Sequence, residues 1–514
     1  MTLPHSKATQ VLSIEEISGP AGSDRALAEG TDADVCDMHR MGKKQVLRRD
    51  FRFISIVGFV CILQSTWESA LMANQYGLLN GGTAGVIWVT IAVWLCAMCM
   101  IASIAEMASM APTAGGQYHW VSEFAPTSLE KPLSYVVGWC CCLGWVASIP
   151  SGGQFLAYLV EGLVLLVHPD ANIGALWQTT LMLFLFVCLT VAFNMFASHQ
   201  LPLAEGIIFV LHVVGFFVFL IVFWVMADKA PAHDVFFQFS NGGGWPSIGV
   251  SCLVGLTTPL WMFIGPDCGA HMSEEVKDAG LVLPKAMVWA TFINGIMGIT
   301  MLITFCFCVG DLDGVLNSPT GIPIIQLTYN VTGSIPGTVV LTTLLIVLSF
   351  FGTITCIASA SRQAWAFARD QGFPFSTWLT YVRPGVDVPI NSLIMCLGVS
   401  LVLGAINFGS DTALNAIIAV SNAALVFSYI ISIGCLRLKR LRGEPLLPRR
   451  WSLGRFGGLV NDIALAFLLI SFVFSFFPEE VHPDAPSMNW AIVMFGATCI
   501  LALGYYVVGG GKSM

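Results

Sequence analysis

Apolar residues along this chain gather into long runs instead of alternating with polar ones. Between residues 53 and 510, runs of about 20 residues recur, separated by short polar stretches, and a helix of that length crosses the hydrocarbon of a bilayer. The pattern predicts twelve membrane spans: 53–79, 84–110, 133–167, 176–196, 203–226, 247–271, 285–310, 337–362, 388–408, 412–436, 457–477 and 489–510. The expected fold is an all-α polytopic membrane protein with twelve transmembrane helices.

Two of the runs are interrupted. In span 1 the polar patch Gln64-Ser65-Thr66-Trp67-Glu68-Ser69 separates apolar residues 53–63 from 70–79. In span 6 the interruptions are Thr257-Thr258-Pro259 and Gly265-Pro266-Asp267. Proline lacks a backbone N–H and glycine tolerates unusual backbone angles, so both disturb a helix. A break at bilayer depth frees backbone groups that lipid cannot satisfy, and these must line a protein cavity. Matched breaks in two halves of a chain point to a transport site at the membrane midplane. Five helices lead from one break to the next, an odd number. The halves, 53–226 and 247–436, are therefore expected to form an inverted repeat, with 457–510 as two additional helices.

Charge sets the expected orientation. Only 11% of the 514 residues are charged, against about a quarter in soluble domains. Of the 23 Lys and Arg residues, all but Lys229 fall in the tails and loops of one face, which predicts cytosolic termini and a cytosolic basic loop at 437–456. No extended basic patch suits nucleic acid. The sixteen cysteines lie mostly in or beside apolar runs and read as packing residues, not metal ligands; no cofactor is expected. Residues 1–52 are polar, without the apolar core of a cleavable signal, and are expected to be a disordered cytosolic tail. Asn330-Val331-Thr332 is a glycosylation sequon in a loop of the other face.

Several motifs carry a family likeness. Glu106-Met107-Ala108-Ser109 and Pro112-Thr113-Ala114-Gly115-Gly116-Gln117-Tyr118-His119-Trp120 resemble the span 2–3 signature of the amino acid–polyamine–organocation superfamily. Ile264-Gly265 with Asp267, then His271 through Lys277, resembles its broken sixth helix and the loop after it. Ser361-Arg362-Gln363-Ala364-Trp365-Ala366-Phe367-Ala368-Arg369-Asp370 is similar to the eighth-helix end of the fungal branch that includes GABA and choline permeases. Pro266 departs from the aromatic or polar residue expected before Asp267.

The resemblance implies a secondary transporter working by alternating access, and the residues at the breaks become its candidate site. Half-helix amides near Gln64, Ser65, Thr66 and beyond Ile264-Gly265 suit a substrate carboxylate. Glu68 and Asp267 are the acids at the breaks. Two acids in one pocket favour amines such as GABA, choline or a polyamine. Asp267 is expected to look into the cavity, where it binds the substrate ammonium or holds a polar network that does. Trp67, Trp261 and Phe263 offer aromatic walls for a quaternary amine. His212, about ten residues into span 5, is a candidate proton relay. Thr355 and Ser359 on span 8 offer an oxygen cage for sodium, unless they bond their own backbone. The fungal likeness favours a proton over sodium. Glu106, Gly115, Gly116 and Tyr118 are read as gating or structural residues, with Glu106 expected to pair with a loop 8–9 arginine such as Arg362.

Competing classes fare less well. An enzyme needs a convergent nucleophile–base or metal set, and no helix face carries one. A nutrient receptor that keeps the transporter fold without flux is the alternative. The plasma membrane is the first expectation for location and the vacuolar membrane the second.

Overall fold

The computed structural model describes residues 30–510, apart from 317, 319, 384, 386, 410–412 and 485–487. Twelve of its helices are long and apolar enough to cross a membrane. Spans 1 to 6 are Phe53–Met72, Gly82–Met110, Glu130–Val167, Leu176–Phe196, Ser198–Met226 and Ile248–His271. Spans 7 to 12 are Ala279–Cys308, Ile335–Arg369, Ile390–Phe408, Ile417–Leu441, Gly454–Phe474 and Ala491–Val508. The number and order match the hydropathy reading. Span 8 runs well past its expected end, because its polar final turns find buried partners described below.

Burial sorts the spans into an inner set and an outer set. The most apolar stretch of span 1 is 78% buried and that of span 10 is 72% buried, against 11% for span 12. Span 4 turns Leu181, Leu185 and Leu189 outward, one face of a helix suited to lipid. Spans 2 and 7, 3 and 8, and 4 and 9 pack against each other. These are the corresponding helices of the two halves, as an inverted repeat pairs them.

The tail departs from expectation. Residues 1–29 lie outside the described residues, but 30–52 are ordered. Asp32–Arg40 is a helix whose N-cap is Thr31, in a reciprocal capping box with Asp34. The Asp34 carboxylate accepts the amides of Asp278 (2.8 Å) and Ala279 (2.9 Å) at the start of span 7. Arg49, fully buried, donates to the Ser273 carbonyl at 2.8 Å and lies 3.5 Å from Asp34. Phe51 and Val276 form a single parallel bridge. Burial works against the Asp34 charge, yet Arg49 and the surrounding amides hold its carboxyl below the usual range. Polar composition suggested disorder; these polar groups instead bond the loop between spans 6 and 7.

Two of the short helices outside the spans matter for the site and the sequon. Gln117–Phe124 follows span 2 on the basic face, and Pro323–Thr332 precedes span 8 on the opposite face. Asn330 is exposed near the end of the second, where its side-chain oxygen accepts from Gln326 at 2.8 Å.

Candidate functional site

Both expected breaks are present. The helix Phe53–Gln64 stops at Ser65, which is left-handed (φ 40°, ψ 47°), and a second half-helix runs from Thr66 to Met72. A left-handed non-glycine residue costs on the order of 1–2 kcal/mol, so packing must hold it there. In span 6 the helix Thr257–Phe263 ends at Ile264 with extended backbone (ψ 150°). Gly265 follows at φ 95°, then a short turn Cys268–His271. A β-carbon at Gly265 would be strained at that angle, and Pro266 brings no amide to the gap.

A cavity of about 130 Å³ lies between the breaks. Span 1 gives it Leu63, Gln64, Ser65, Ser69, Met72 and Ala73; span 6 gives Trp261, Ile264 and Gly265. Span 3 adds Trp145, Ser148, Gly152 and Phe155; span 8 adds Ser349, Gly352, Thr353 and Cys356; span 10 adds Leu425. The lining runs from the breaks toward the face opposite the basic loops. None of these residues is charged. Three are aromatic, and two donors in the wall, Gln64 Nε2 and Trp145 Nε1, have no hydrogen-bond partner among the described residues.

Half of the ten residues expected at the substrate line this cavity: Gln64, Ser65, Trp261, Ile264 and Gly265. The other five face away. The Thr66 hydroxyl donates to the Asn294 carbonyl at 2.5 Å on span 7. Trp67 packs on His212, Phe216 and Phe219 of span 5. Phe263 is buried in the core. Glu68 meets His212 at 2.6 Å, Oε1 to Nδ1. A helix turns about 100° per residue, so the face that presents Ser65, Ser69 and Met72 cannot also present 66–68.

Asp267 is fully buried beneath Gly265, outside the cavity. Its Oδ2 accepts from Gln117 Nε2 at 2.6 Å and lies 3.2 Å from His271 Nε2. The Tyr429 hydroxyl donates to Oδ1. His271 Nδ1 faces the Ala114 carbonyl at 2.9 Å. Contrary to expectation, the carboxylate does not look into this cavity; it lies in a buried polar network behind the wall. Gly116 makes room for it. At φ +55°, a β-carbon there would sit 2.9 Å from the His271 ring.

The ends of spans 6 and 8 close the basic face. Arg369 grips Glu274 at two points, 2.8 and 2.7 Å, and Arg362 Nε donates to Glu275 at 2.7 Å. Lys43 from the N-terminal segment reaches Asp370 at 2.6 Å, and the Tyr118 hydroxyl donates to the same carboxylate at 2.9 Å. Burial opposes the Glu274 charge, but Arg369 and the Ala114 amide keep its carboxyl below the usual range. Gly115 packs on the Tyr118 ring. Glu106 does not pair with Arg362. It pairs with Arg440 and with Arg449 (3.1 Å), and accepts from the Leu453 amide at 3.2 Å. The last turn of span 10 and the basic loop after it lie over the end of span 2 and bring Arg440 and Arg449 to Glu106.

On span 8, the Ser359 hydroxyl donates to the Thr355 carbonyl at 3.1 Å, as a hydroxyl bonding its own helix does. The Thr355 hydroxyl donates to Glu205 Oε1 at 2.7 Å. Glu205, on span 5, is fully buried and was not singled out from the sequence.

The comparisons with known proteins fit this geometry. A family model described as amino acid permease matches residues 53–498. The chain belongs to the amino acid permease family. Relatives of the permease include a Saccharomyces cerevisiae choline transporter, 30% identical over 461 residues that cover 89% of this chain and 80% of the relative. A Macrophomina phaseolina protein, named as a candidate amino acid/polyamine transporter, is 31% identical over 439 residues, 85% of this chain and 96% of the other. Amino-acid permease 2 of Neurospora crassa is 27% identical over 533 residues, covering 99% and 94%. The permease is thus a multi-pass membrane transporter.

Proposed function

We propose that this permease carries a small amino acid or singly charged amine of the choline or GABA class, with a proton, into the cytosol. The observation that supports it is the cavity itself. It sits at both helix breaks, holds aromatic faces and unpartnered donors, and has no charged side chain in its wall. Trp145, Phe155 and Trp261 suit an ammonium or trimethylammonium group by cation–π contact. Gln64 Nε2 and Trp145 Nε1 suit a carboxylate or hydroxyl at the other end of the substrate. A polyamine carries several charges and would need acids in the wall; Glu68 and Asp267 were expected to supply them and lie elsewhere. Relatives named for choline and for amino acids fit these two chemistries, while the relative named for amino acids or polyamines makes spermidine the competitor to test.

Transport follows from asymmetry. The cavity extends away from the basic face, while ion pairs of spans 6 and 8 and the N-terminal segment seal the other side. We take the sealed face as cytosolic, from the bias of Lys and Arg toward it. The plasma membrane then makes the reaction uptake; the vacuolar membrane is the second choice. Opening the seal as the outer cavity closes gives alternating access. Proton coupling is supported by His212, buried against a carboxyl of broken span 1. Thr355 and Ser359, the sodium alternative, do not line the cavity, and their hydroxyls donate to Glu205 and to span 8 itself.

The test is competition uptake. Cells expressing the permease should take up labelled choline or GABA, or a neutral amino acid. Excess unlabelled spermidine should leave that uptake unchanged. Competition by spermidine as strong as by the substrate itself would overturn the choice of class. A protein that reaches the surface and transports nothing in the panel would favour the receptor reading.

A further inference from the structure

The Glu68–His212 pair lies off the cavity, and its hydrogen-bond pattern fixes where a proton sits. Asn294 Nδ2 donates to the Cys61 carbonyl at 3.0 Å, so Asn294 Oδ1 is the acceptor facing His212. His212 Nε2 stands 3.1 Å from that oxygen and must carry a hydrogen. Trp67 Nε1 donates toward Nδ1 at 3.1 Å, so Nδ1 accepts. Glu68 Oε1 is 2.6 Å from the same nitrogen. Two acceptors at that distance would repel, and a hydrogen must lie between them. Glu68 Oε2 is buried with no partner, which suits a neutral acid and not a bare carboxylate.

We infer that Glu68 holds the transported proton, donating it to His212 Nδ1, and that releasing it rewires the hydrogen bonds leading to the cavity. The inference rests on the transport reading above. On release, the Glu68 O–H bond breaks. In atoms, the Glu68 hydrogen passes to His212 Nδ1 and the Nε2 hydrogen is the one that leaves to water, so the imidazole ends neutral and donates to the new carboxylate. Nε2 becomes an acceptor facing Asn294 Oδ1, and that bond is lost. Asn294 Nδ2 also lies 3.4 Å from Gln64 Oε1, and Gln64 lines the cavity. The state of one proton therefore reaches the substrate wall through two side chains. The same loss strands the Trp67 N–H, beside the half-helix that carries Ser69 and Met72.

Among the described residues, the other titratable groups on the elements packed here are Cys61 on span 1, Glu205 about two turns along span 5, Lys285, Cys306 and Cys308 on span 7, Tyr329 on the short helix before span 8, and Cys356, Arg362 and Arg369 on span 8. No Lys or Arg side chain pairs with Glu68 or His212 among the described residues. The pair is thus a proton site without a fixed counter-ion, in which one bound proton keeps both groups neutral.

Two measurements test it. Infrared spectra of the purified permease in liposomes should show a protonated-carboxyl band that is absent in Glu68→Gln and fades as the pH is raised. This arm needs no substrate, so its failure is separable from failure of the transport reading. No band loss in the variant overturns the inference. In proteoliposomes, E68Q keeps a donor for His212 but cannot release a proton. It should retain choline counterflow within about threefold while pH-driven choline accumulation falls at least about tenfold. Accumulation that persists in E68Q overturns the inference. Should E68Q fail to reach the membrane, His212→Asn must abolish the pH dependence of counterflow, and a retained dependence overturns it equally.

Discussion

Arg369 and Glu274 face each other across the basic end of the bundle, two guanidinium nitrogens on two carboxylate oxygens at 2.7 and 2.8 Å. The pair ties the end of span 8 to the turn after broken span 6. Glu274 is fully buried and also accepts from the Ala114 amide at 3.3 Å. Such a two-point contact fixes geometry as well as charge.

Removing one partner of a buried pair costs about 3–5 kcal/mol, because the other is left uncompensated. Glu274→Gln should therefore favour an open basic face. Cys141, buried 4.0 Å from His271, should then react with a maleimide added from that side at least about tenfold faster than in the wild type. Unchanged labelling would remove the pair from the gate.

The aromatic wall predicts a division of labour. Trp261→Ala removes a ring face, and loss of about 1–2 kcal/mol of cation–π contact weakens apparent affinity roughly five- to thirtyfold. Trp145→Phe keeps the face and deletes only the N–H. It should weaken binding of a carboxylate- or hydroxyl-bearing substrate more than that of tetramethylammonium. Equal effects on both ligands would mean that the Trp145 N–H points elsewhere.

Asp267 lies behind the cavity wall, which separates two readings of one mutation. Asp267→Asn alters the bonds with Gln117, His271 and Tyr429 without touching substrate. Maximal uptake per surface transporter should fall at least about tenfold while apparent affinity stays within about twofold. A large affinity loss with maximal rate preserved would put the carboxylate on the substrate.

Acid should loosen the basic face. Burial opposes the charge of Asp370, but Lys43 beside it and then Arg369 hold its carboxyl below the ordinary value. A carboxyl with a lowered folded-state pKa stabilises the fold at pH above its unfolded pKa, about 3.9, and that contribution is lost as pH falls through the folded value. Thermal stability of the purified protein should owe nothing to this pair's titration between about pH 6 and 8 and should drop below about pH 4. Lys43→Met should lower stability on the neutral plateau and flatten the acid drop. A variant with the full wild-type acid drop would show that other carboxyls carry it.

Much of the fold is legible in the sequence because membrane spans are written in length and apolarity, which are local properties. The breaks were visible for the same reason: Gln64-Ser65 and Gly265-Pro266 interrupt apolar runs. The facing of side chains is less local. Glu68 looked like a pocket acid because it sits in the polar patch, yet three residues of helix turn it from the face of Ser65 to that of His212. The cavity face does carry a period, Ser65, Ser69 and Met72 on span 1 and Ser349, Gly352, Thr353 and Cys356 on span 8. Small residues at i, i+3, i+4 and i+7 were a usable signal for the second. Span 3 carries Ser148, Ser151, Gly152, Gly153 and Gln154 on several faces, so small and polar residues there did not single out the face of Trp145. The partner of Glu106 was beyond reach too. Arg362 and Arg440 were equal candidates by charge, and only the packing of the end of span 10 against span 2 decides between them.

The central claim is that transport through this cavity is driven by a proton. Purified permease in proteoliposomes, given an acidic exterior and a neutral lumen, should concentrate labelled choline or GABA. The lumen should acidify in step with it, and an uncoupler should collapse both. Substrate that accumulates on a sodium gradient alone, with no pH change in the lumen, would contradict the account.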